Sequence, residues 1–263
     1  MFFFNGNLIS GDTIELPVNS VALLYGATVF TTLRVYNGCL DHPLTHWQQH
    51  CDRTSNSIRE FGWKMPNWQK IKQEAQELSN YFPVLRITIF PNGQELILGR
   101  QLPNHLSIKQ LEGVKGKVIT NNQLKRSLPL HKTGNYLAPY LALEGVKKEN
   151  FHEAILTDDQ ENWLETSTGN LWGYVNHGWF TPSLREGILG GIARKFILEN
   201  ADFPIQENVW HPNFIKTLSA IVYSNSVVEI VPFKLITIGK QIIKFDPTHH
   251  AIKQLKILYH NNS

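Results

Sequence analysis

A single lysine, Lys132, lies in a segment that is otherwise small, aromatic and almost free of charge, LHKTGNYLAPYLAL (residues 130–143). An apolar surround disfavours the ammonium form and lowers a lysine pKa, which makes the amine a better nucleophile and base. A lysine in such a segment can also simply extend its stem over apolar surface and keep its amine in water. The segment alone is compatible with both interpretations.

Three further motifs follow the lysine in order. Glu165 lies in WLETSTGNLW, where it could be an ordinary turn carboxylate. Gly191 and Ile192 lie in LGGIAR, which opens a predicted helix, and backbone N–H groups at a helix N-terminus can bind an anion. Ser226 lies in YSNSVVEIVPF, just before an apolar strand. Each motif is weak by itself, and only their order and spacing favour a common site.

Together, the four motifs resemble those of the fold-type IV pyridoxal-phosphate enzymes. That family includes branched-chain aminotransferases, D-amino acid aminotransferases and 4-amino-4-deoxychorismate lyases. The resemblance extends from FNGNLI through VFTTLRVYNG to VPFKLITIG, nearly the whole chain. It implies pyridoxal 5'-phosphate as cofactor, with Lys132 as the amine that holds the aldehyde as a Schiff base and then carries the substrate α-proton. It also implies that Glu165 keeps the pyridine nitrogen protonated, and it makes Tyr136 a candidate donor to the ring hydroxyl.

The resemblance predicts a phosphate site as well. Gly191 and Ile192 supply backbone N–H groups and Ser226 supplies a hydroxyl, so that one cation should complete the set. The family's His-x-x-Arg pattern fits HCDRTSNSIREFGW without a gap and gives Arg53. The earlier HWQQ would place Gln49 there instead. Arg53 is preferred, because its register also places the following Phe-Gly pair correctly and because guanidinium binds phosphate in a bidentate manner.

The member of the family is predicted from smaller differences. VFTTLRV resembles the lyase's Phe-Thr-Thr more than the Phe-Glu-Gly of branched-chain enzymes, and the short KTGN spacing and compact chain agree. These features predict a 4-amino-4-deoxychorismate lyase, which releases 4-aminobenzoate and pyruvate in folate biosynthesis. The segments Gly26–Thr28 and Phe90–Gln94 depart from the lyase pattern, and Arg86 resembles a branched-chain enzyme position. Arg86 and Thr32 are the predicted substrate contacts.

Two alternatives stay open at this point. The first is a class IV aminotransferase acting on branched-chain or D-amino acids, and the second is a cofactor-binding protein without turnover. A metal site is a less favoured interpretation of His42, His46 and His50, which are spaced four apart. Pro43 argues against His42 sharing their helix, so no metal is predicted.

Composition limits the classes of partner. The chain has 263 residues, 42% of them hydrophobic, and a formal net charge of only +3. That balance indicates neither nucleic acid nor a membrane surface as a partner. The family resemblance implies a small amino-acid-like substrate. The N-terminal apolar run is too short for a signal peptide, no apolar run approaches a membrane span, and two cysteines favour a reducing compartment. A cytoplasmic location is therefore predicted.

The elements that must position these residues are predicted from periodicity. MFFFNGNLI and VFTTLRVYNG indicate hairpin strands, while KIKQEAQELSNY places Ile71, Ala75 and Leu78 on one helix face. The fold predicted is α+β with two domains, D-amino acid aminotransferase-like: a small α/β N-terminal domain, residues 1–108, and a larger β-barrel-like C-terminal domain, residues 117–263. Residues 109–116 are the predicted linker. Seven Trp and eight Tyr with a modest charge predict a homodimer, in which, as in the family, a neighbouring subunit closes the site.

Overall fold

The structure, a computed structural model, describes residues 1–120, 124 and 126–260. These residues divide into two compact units. The first unit consists of Met1–Leu102 and His131–Asn135, and the second consists of Pro103–Leu130 and the chain from Tyr136 onward. The architecture is mixed α+β, which confirms the predicted class.

The first unit contains an antiparallel sheet whose described strands follow the order β2-β1-β5-β4-β3. Its strands are β1 (Phe2–Phe4), β2 (Asn7–Ile9), β3 (Val29–Arg34), β4 (Val84–Ile89) and β5 (Glu95–Arg100). The predicted Asn-Gly turn joins β1 to β2, with φ of 48° at Asn5 and 82° at Gly6. A turn of this hand matches the twist of the two strands, so the hairpin prediction is confirmed.

Two helices, α2 (Trp47–Glu60) and α3 (Trp68–Ser79), pack against this sheet. The unit also contains α1 (Val21–Tyr25), which has no buried residue, and a short 3-10 helix (Pro43–Thr45). On α3 the predicted apolar stripe of Ile71, Ala75 and Leu78 is buried against the sheet residues Leu33 and Ile87. Residues spaced by three and four lie on one helix face, which explains why this helix could be predicted from its sequence.

The second unit contains a larger mixed sheet. In the part of the chain that the structure describes, nine strands form it, in the order β11-β10-β9-β12-β13-β6-β7-β8, with β14 beside β13. The strands are β6 (Val114–Ile119), β7 (Glu153–Thr157), β8 (Trp163–Thr166), β9 (Asn170–Val175), β10 (Gly178–Pro182), β11 (Ile205–Asn208), β12 (Ala220–Asn225), β13 (Glu229–Ile238) and β14 (Gln241–Lys244). Most of these strands are buried, and the sheet curls into a half-barrel around a core that includes Trp163, Trp210 and Phe233.

Helices of the second unit pack around this sheet. They are α4 (Leu106–Glu112), α5 (Leu137–Lys148), a short 3-10 helix (Leu184–Glu186), α6 (Ile192–Asn200), α7 (Pro212–Ile215) and α8 (Ile252–His260). The helix predicted to open at LGGIAR is α6. Tyr136 is the residue that precedes α5 as its N-cap.

The structural units differ from the predicted domains at two places. Residues 109–116, predicted as a linker, form the end of α4 and the start of β6, both inside the second unit. The glycines that suggested a linker have local reasons: Gly113 ends α4 at φ 73°, and Gly116 lies under the Phe233 ring, where a Cβ would come within 2.6 Å of it. The segment around Lys132, predicted in the C-terminal domain, groups with the first unit.

The described helices and cysteines bear on two further predictions, the absence of a membrane span and of a disulfide framework. Of the helices described, none combines the length and the apolar character that crossing a bilayer requires. Cys39 is exposed and Cys51 is buried, and both are free thiols. Burial raises the pKa of the Cys51 thiol to about 12, so this group is held as an inert thiol.

The two buried carboxyl groups of the first unit, Glu74 on α3 and Glu95 on β5, generate a stability prediction. Neither oxygen of Glu74 has a hydrogen-bond partner among the described residues. Burial, and after it the charge of Glu95, raises the pKa of Glu74, and Lys70 at 3.7 Å offsets only part of this. A raised carboxyl pKa gives stability that is present below the unfolded-state pKa and lost as pH rises through the folded-state pKa.

We therefore expect Glu74→Gln to reduce the loss of melting temperature between about pH 5 and about pH 8, relative to the unchanged protein. Circular dichroism melts at the two pH values measure the difference. Glu15→Gln, at an exposed position of the same unit, is the matched control and should leave the pH dependence as it is. An unaltered pH dependence in Glu74→Gln would show that the buried pair Glu74 and Glu95 does not cause the loss of melting temperature with pH.

Candidate active site

The segment that carries Lys132 is fixed to β3 by backbone pairing. The N–H of Phe30 donates to the carbonyl of Lys132 at 2.8 Å, and the N–H of Gly134 donates to the carbonyl of Thr28 at 2.7 Å. Gly134 approaches so closely that a Cβ there would lie 2.8 Å from the Gly26 carbonyl oxygen, which requires glycine. The half-buried Lys132 places its Nζ 4.7 Å from the centre of the Phe30 ring. The lysine therefore has a defined position against an aromatic ring.

The residue before the lysine fixes the same segment to α2. His131 Nδ1 is 2.9 Å from the Ser57 hydroxyl, and its Nε2 is 3.4 Å from a Glu60 carboxylate oxygen. Its ring also packs on Phe61, with centroids 4.7 Å apart. The role of His131 could not be found from the sequence, because its partners lie about seventy residues earlier in the chain and no local spacing indicates them.

Arg53, the predicted phosphate cation, is oriented by β3. Its Nη2 donates to the Thr31 hydroxyl at 3.0 Å, and the same hydroxyl forms a short hydrogen bond with His50 Nδ1. His50 and Arg53 are the first and last residues of the predicted His-x-x-Arg pattern. Their shared partner on β3 gives this spacing a physical reason, since residues three apart lie on one helix face.

His50 is a neutral member of this group. Its side chain is buried, and burial lowers its pKa well below the ordinary value, followed by the positive charges of Arg53, His46 and Lys132. His42 is the N-cap of the 3-10 helix and lies outside α2, so the three histidines do not form one helical face. Within residues 1–120, 124 and 126–260, no group of three or more His, Cys, Asp or Glu side chains could hold a metal ion.

The two predicted substrate contacts are cross-strand neighbours. Thr32 on β3 is directly opposite Arg86 on β4, so that both side chains leave the same face of the sheet. The Arg86 guanidinium lies 3.5 Å from the centre of the Phe30 ring, the ring that Lys132 also contacts. Within the first unit, the structure therefore brings Lys132, Arg86 and Thr32 around one aromatic residue.

Glu165 lies on β8 in the second unit, where it is 5% exposed. Arg126 Nη1 is 3.4 Å from its Oε1, and the N–H of Leu189 donates to its Oε2 at 3.2 Å. An arginine and a backbone N–H are partners that an ionised carboxylate takes. A cavity of about 220 Å³ lies beside it, lined by Arg126, Pro129, Leu156, Asp158, Leu164, Glu165, Glu186 and Gly187. Removing Glu165 would leave the buried Arg126 charge without this counterion, which costs about 3–5 kcal/mol in comparable pairs.

Tyr136 is connected to Glu165 through the same arginine. The Arg126 guanidinium lies 5.5 Å from the centre of the Tyr136 ring. The Tyr136 hydroxyl donates to the carbonyl of Ser167 at 2.8 Å. A phenol has one proton to donate, so in this arrangement it can accept a hydrogen bond from a ligand, and donating to a ligand would require it to leave Ser167. Arg126 has no motif in the sequence analysis, and only the fold reveals its role.

The predicted phosphate contacts of the second unit lie at a helix N-terminus and in a turn. Gly191 is the N-cap of α6 and Ile192 is its first residue, with no acidic residue in the first turn. A Cβ at position 191 would collide with the Asn170 side-chain oxygen, so the N-terminus is left with a bare backbone. Ser226 lies in the β12–β13 turn, which Asn225 shapes by accepting hydrogen bonds from the N–H groups of residues 227 and 228.

Comparisons with known proteins show the family to which the chain belongs. The aminodeoxychorismate lyase of Bacillus subtilis (strain 168) is 24% identical to this chain, in a match that covers 98% of this chain and 93% of the lyase. The D-alanine aminotransferase of Staphylococcus aureus (strain N315) is also 24% identical to this chain, in a match that covers 88% of this chain and 86% of the aminotransferase. A solved structure described as a hypothetical aminotransferase from Mycobacterium tuberculosis, in PLP-bound form, superimposes over 100% of both chains with a TM-score of 0.81 and 15% identity, which shows the fold. Residues 28–236 match the amino-transferase class IV family, and the chain therefore belongs to that family.

Proposed function

We propose that this protein is a pyridoxal-phosphate-dependent 4-amino-4-deoxychorismate lyase, which releases 4-aminobenzoate and pyruvate. The observation that carries the cofactor part of the proposal is the position of Lys132. Its backbone is paired with β3, and its amine lies against Phe30 in a segment poor in charge. The class IV family and a PLP-bound structural neighbour support the same cofactor.

The described residues fit the chemistry of this group. A phosphate suits the backbone N–H groups of a helix N-terminus, as at Gly191 and Ile192, and it also suits a guanidinium, as at Arg53. A protonated pyridine nitrogen suits the buried carboxylate of Glu165, which Arg126 and the Leu189 N–H keep acceptor-only. Tyr136 is proposed to contact the ring oxygen and Ser226 the phosphate. When bound, the cofactor supplies an electron sink for bonds at the substrate α-carbon.

The protein's own residues then have separate tasks. The Lys132 amine would be the base that removes the proton at the substrate α-carbon, and that proton would then be available to the departing three-carbon group, which leaves as pyruvate. Arg86 binds a substrate carboxylate, and Thr32 opposite it limits the space beside that carboxylate. Glu165 and Arg126 hold the proton on the ring nitrogen by keeping a fixed negative charge there.

The choice of lyase depends on Thr31. In VFTTLRV this residue presents a neutral hydroxyl to Arg53 at 3.0 Å, where the Phe-Glu-Gly of branched-chain enzymes would present a carboxylate. This is the position at which VFTTLRV resembles the lyase's Phe-Thr-Thr. The second candidate, a class IV aminotransferase acting on branched-chain or D-amino acids, is favoured by Arg86 and by the similarity to D-alanine aminotransferase. The cytoplasmic location stays a prediction.

The activity is tested by a product assay on the purified protein loaded with pyridoxal phosphate. We expect 4-aminobenzoate and pyruvate from aminodeoxychorismate, and no keto-acid-dependent transamination across a panel of L- and D-amino acids. The Lys132→Ala variant is the control: borohydride should no longer trap the cofactor covalently, while the circular dichroism spectrum is unchanged. Transamination without 4-aminobenzoate would establish the second candidate, and covalent trapping in Lys132→Ala would assign the anchor to another lysine.

The cation of the phosphate site gives a second test. Losing a charge-assisted bidentate bond costs roughly 1.5–3 kcal/mol, so Arg53→Ala should raise the pyridoxal-phosphate dissociation constant about tenfold to a hundredfold. Fluorescence titration measures it. Gln49→Ala, one turn earlier on α2, is the matched control and should change the constant little. If Gln49→Ala raised the dissociation constant and Arg53→Ala did not, the phosphate contact would lie in HWQQ, at Gln49.

Assembly as a homodimer belongs to the same proposal. The first unit exposes a run of apolar side chains on and before α1, namely Val18, Val21, Leu23, Leu24 and Tyr25, with Tyr25 73% exposed. The second unit exposes Leu128, Leu130, Leu137 and Tyr140. Exposed apolar clusters of this kind mark interfaces, and a two-fold dimer is the commonest closed assembly.

We therefore expect the unchanged protein to sediment as a dimer. Leu23→Glu with Leu24→Glu should shift it towards monomer and lower its specific activity, because burying two carboxylates at an apolar contact is costly. Analytical ultracentrifugation measures both proteins. The exposed Leu184→Glu, away from these clusters in sequence, is the control. A stable, fully active monomer at nanomolar concentration would contradict the dimer.

A further inference from the structure

A buried carboxyl group, Glu153 at the start of β7, lies beneath the loop of residues 166–169 that joins β8 to β9. Its side chain is 2% exposed. Its Oε1 accepts a hydrogen bond from the Ser167 hydroxyl and another from the N–H of Ala154 at 3.1 Å, and its Oε2 accepts one from the Thr168 hydroxyl. None of the tasks proposed above uses this group.

The loop that Glu153 holds is bonded to the proposed contact with the ring oxygen. The Ser167 carbonyl accepts from the Tyr136 hydroxyl at 2.8 Å, while the Ser167 N–H donates to the Ala154 carbonyl at 2.9 Å. Both the carbonyl and the N–H group of Ser167 are therefore hydrogen-bonded. The proposed partner of the pyridine nitrogen, Glu165, lies two residues earlier on β8.

The same loop is bonded to the turn that carries Ser226. The Thr168 carbonyl accepts from the Asn225 side-chain amide at 3.2 Å. The oxygen of that amide in turn accepts from the N–H groups of Val227 and Val228, at 2.9 and 3.0 Å. A shift of Thr168 is therefore passed to Ser226 through Asn225.

We propose that Glu153 is a positioning residue, whose carboxylate holds Ser167 and Thr168 so that Tyr136, Glu165 and Ser226 keep one arrangement for the cofactor. The proposal rests on the proposed function, because these three residues are its cofactor contacts. Glu153 itself touches none of the reacting groups and acts through the loop.

The protonation state of Glu153 decides what the two hydroxyl groups can do. An ionised carboxylate only accepts, so that Ser167 and Thr168 both donate to it, as the structure has them. A protonated carboxyl group must donate its own proton, which forces one of the two hydroxyls to turn from donor to acceptor. Ionisation of Glu153 should therefore tighten the loop.

Burial raises the pKa of Glu153 to about 7, while its hydrogen bonds with Ser167, Thr168 and the Ala154 N–H lower it. Lys147 of α5 also lowers it, and on β12 the buried Tyr223, whose own pKa is raised by burial and by Glu153, faces it. The neighbouring β6 carries Lys115 and Lys117, and Lys117 is paired with Glu149. Burial opposes ionisation of Glu153, so this group's net contribution to folding stability is lost as pH rises through about 7. The hydrogen bonds from Ser167 and Thr168 lower the pKa, so they are strengthened by ionisation for as long as Glu153 stays buried beneath the loop.

The first experiment measures amide hydrogen exchange of the protein without added cofactor, in peptides that cover residues 165–170 and 225–228. We expect Glu153→Gln to speed exchange in both peptides about tenfold, because its amide cannot accept from both hydroxyls. Between about pH 6 and about pH 8, exchange corrected for its intrinsic rate should slow in the unchanged protein and stay constant in the variant. Glu149→Gln, exposed in the same unit, is the control.

The second experiment titrates pyridoxal phosphate into the same proteins. Glu153→Gln should raise the dissociation constant about tenfold at about pH 8 and much less at about pH 6, where the unchanged protein is already protonated. Thr168→Val removes one donor without touching Glu153 and should give a smaller increase that does not add to that of Glu153→Gln.

The outcomes separate the two proposals. If the unchanged protein does not bind pyridoxal phosphate, the proposed function fails, whereas the exchange data still report on Glu153. If Glu153→Gln lowers the melting temperature but leaves exchange at residues 225–228 and the pH profile of cofactor binding unchanged, Glu153 is only a buried structural group and this inference is overturned. If Glu153→Gln fails to fold, Thr168→Val alone should still speed exchange at residues 225–228, and normal exchange there would overturn the inference.

Discussion

The backbone pairing between β3 and the segment of residues 131–135 is the constraint on which the rest of the first unit's candidate site depends. It joins parts of the chain that are about one hundred residues apart, through the hydrogen bonds Phe30 N–H to Lys132 and Gly134 N–H to Thr28. Backbone bonds of this kind fix position far better than the flexible lysine stem could. Once the segment is fixed, the Lys132 amine lies against the Phe30 ring, which the Arg86 guanidinium also contacts. His131 also attaches the segment to α2, so the segment is held by α2 as well as by its backbone hydrogen bonds to β3.

Charge in the two units follows opposite rules. In the first unit, Arg53, Lys132 and Arg86 lie around β3. Burial, followed by the charges of Arg53, His46 and Lys132, lowers the pKa of His50 well below its ordinary value. In the second unit, the buried Glu165 is paired with Arg126.

Much of the fold could be predicted from the sequence because its signals are local. The Asn-Gly hairpin, the apolar stripe of α3 and the glycine-opened α6 each depend on residues within one or two turns of each other. The position of residues 109–116 in the fold could not be predicted from the sequence, because Gly116 resembles a flexible linker residue until Phe233, more than one hundred residues later, is seen to cover it. The grouping of Lys132 with the first unit could not be predicted for the same reason, since its partner Phe30 is remote in sequence.

The candidate site divides in the same way. The proposed contacts Lys132, Arg53, Glu165 and Gly191 could be named from motifs, since each lies in a short pattern of its own. His131, Thr31, Arg126 and Glu153, which orient them, could not, because a supporting residue is defined by the group it touches and that group lies elsewhere in the chain. Tyr136 shows the consequence. The motif predicts a donor to a ring oxygen, but in the structure its one proton is given to the Ser167 carbonyl. Tyr136 can therefore donate to the ring oxygen only if its hydrogen bond to the Ser167 carbonyl breaks. That carbonyl belongs to the loop of residues 166–169, which is held by the carboxyl group of Glu153.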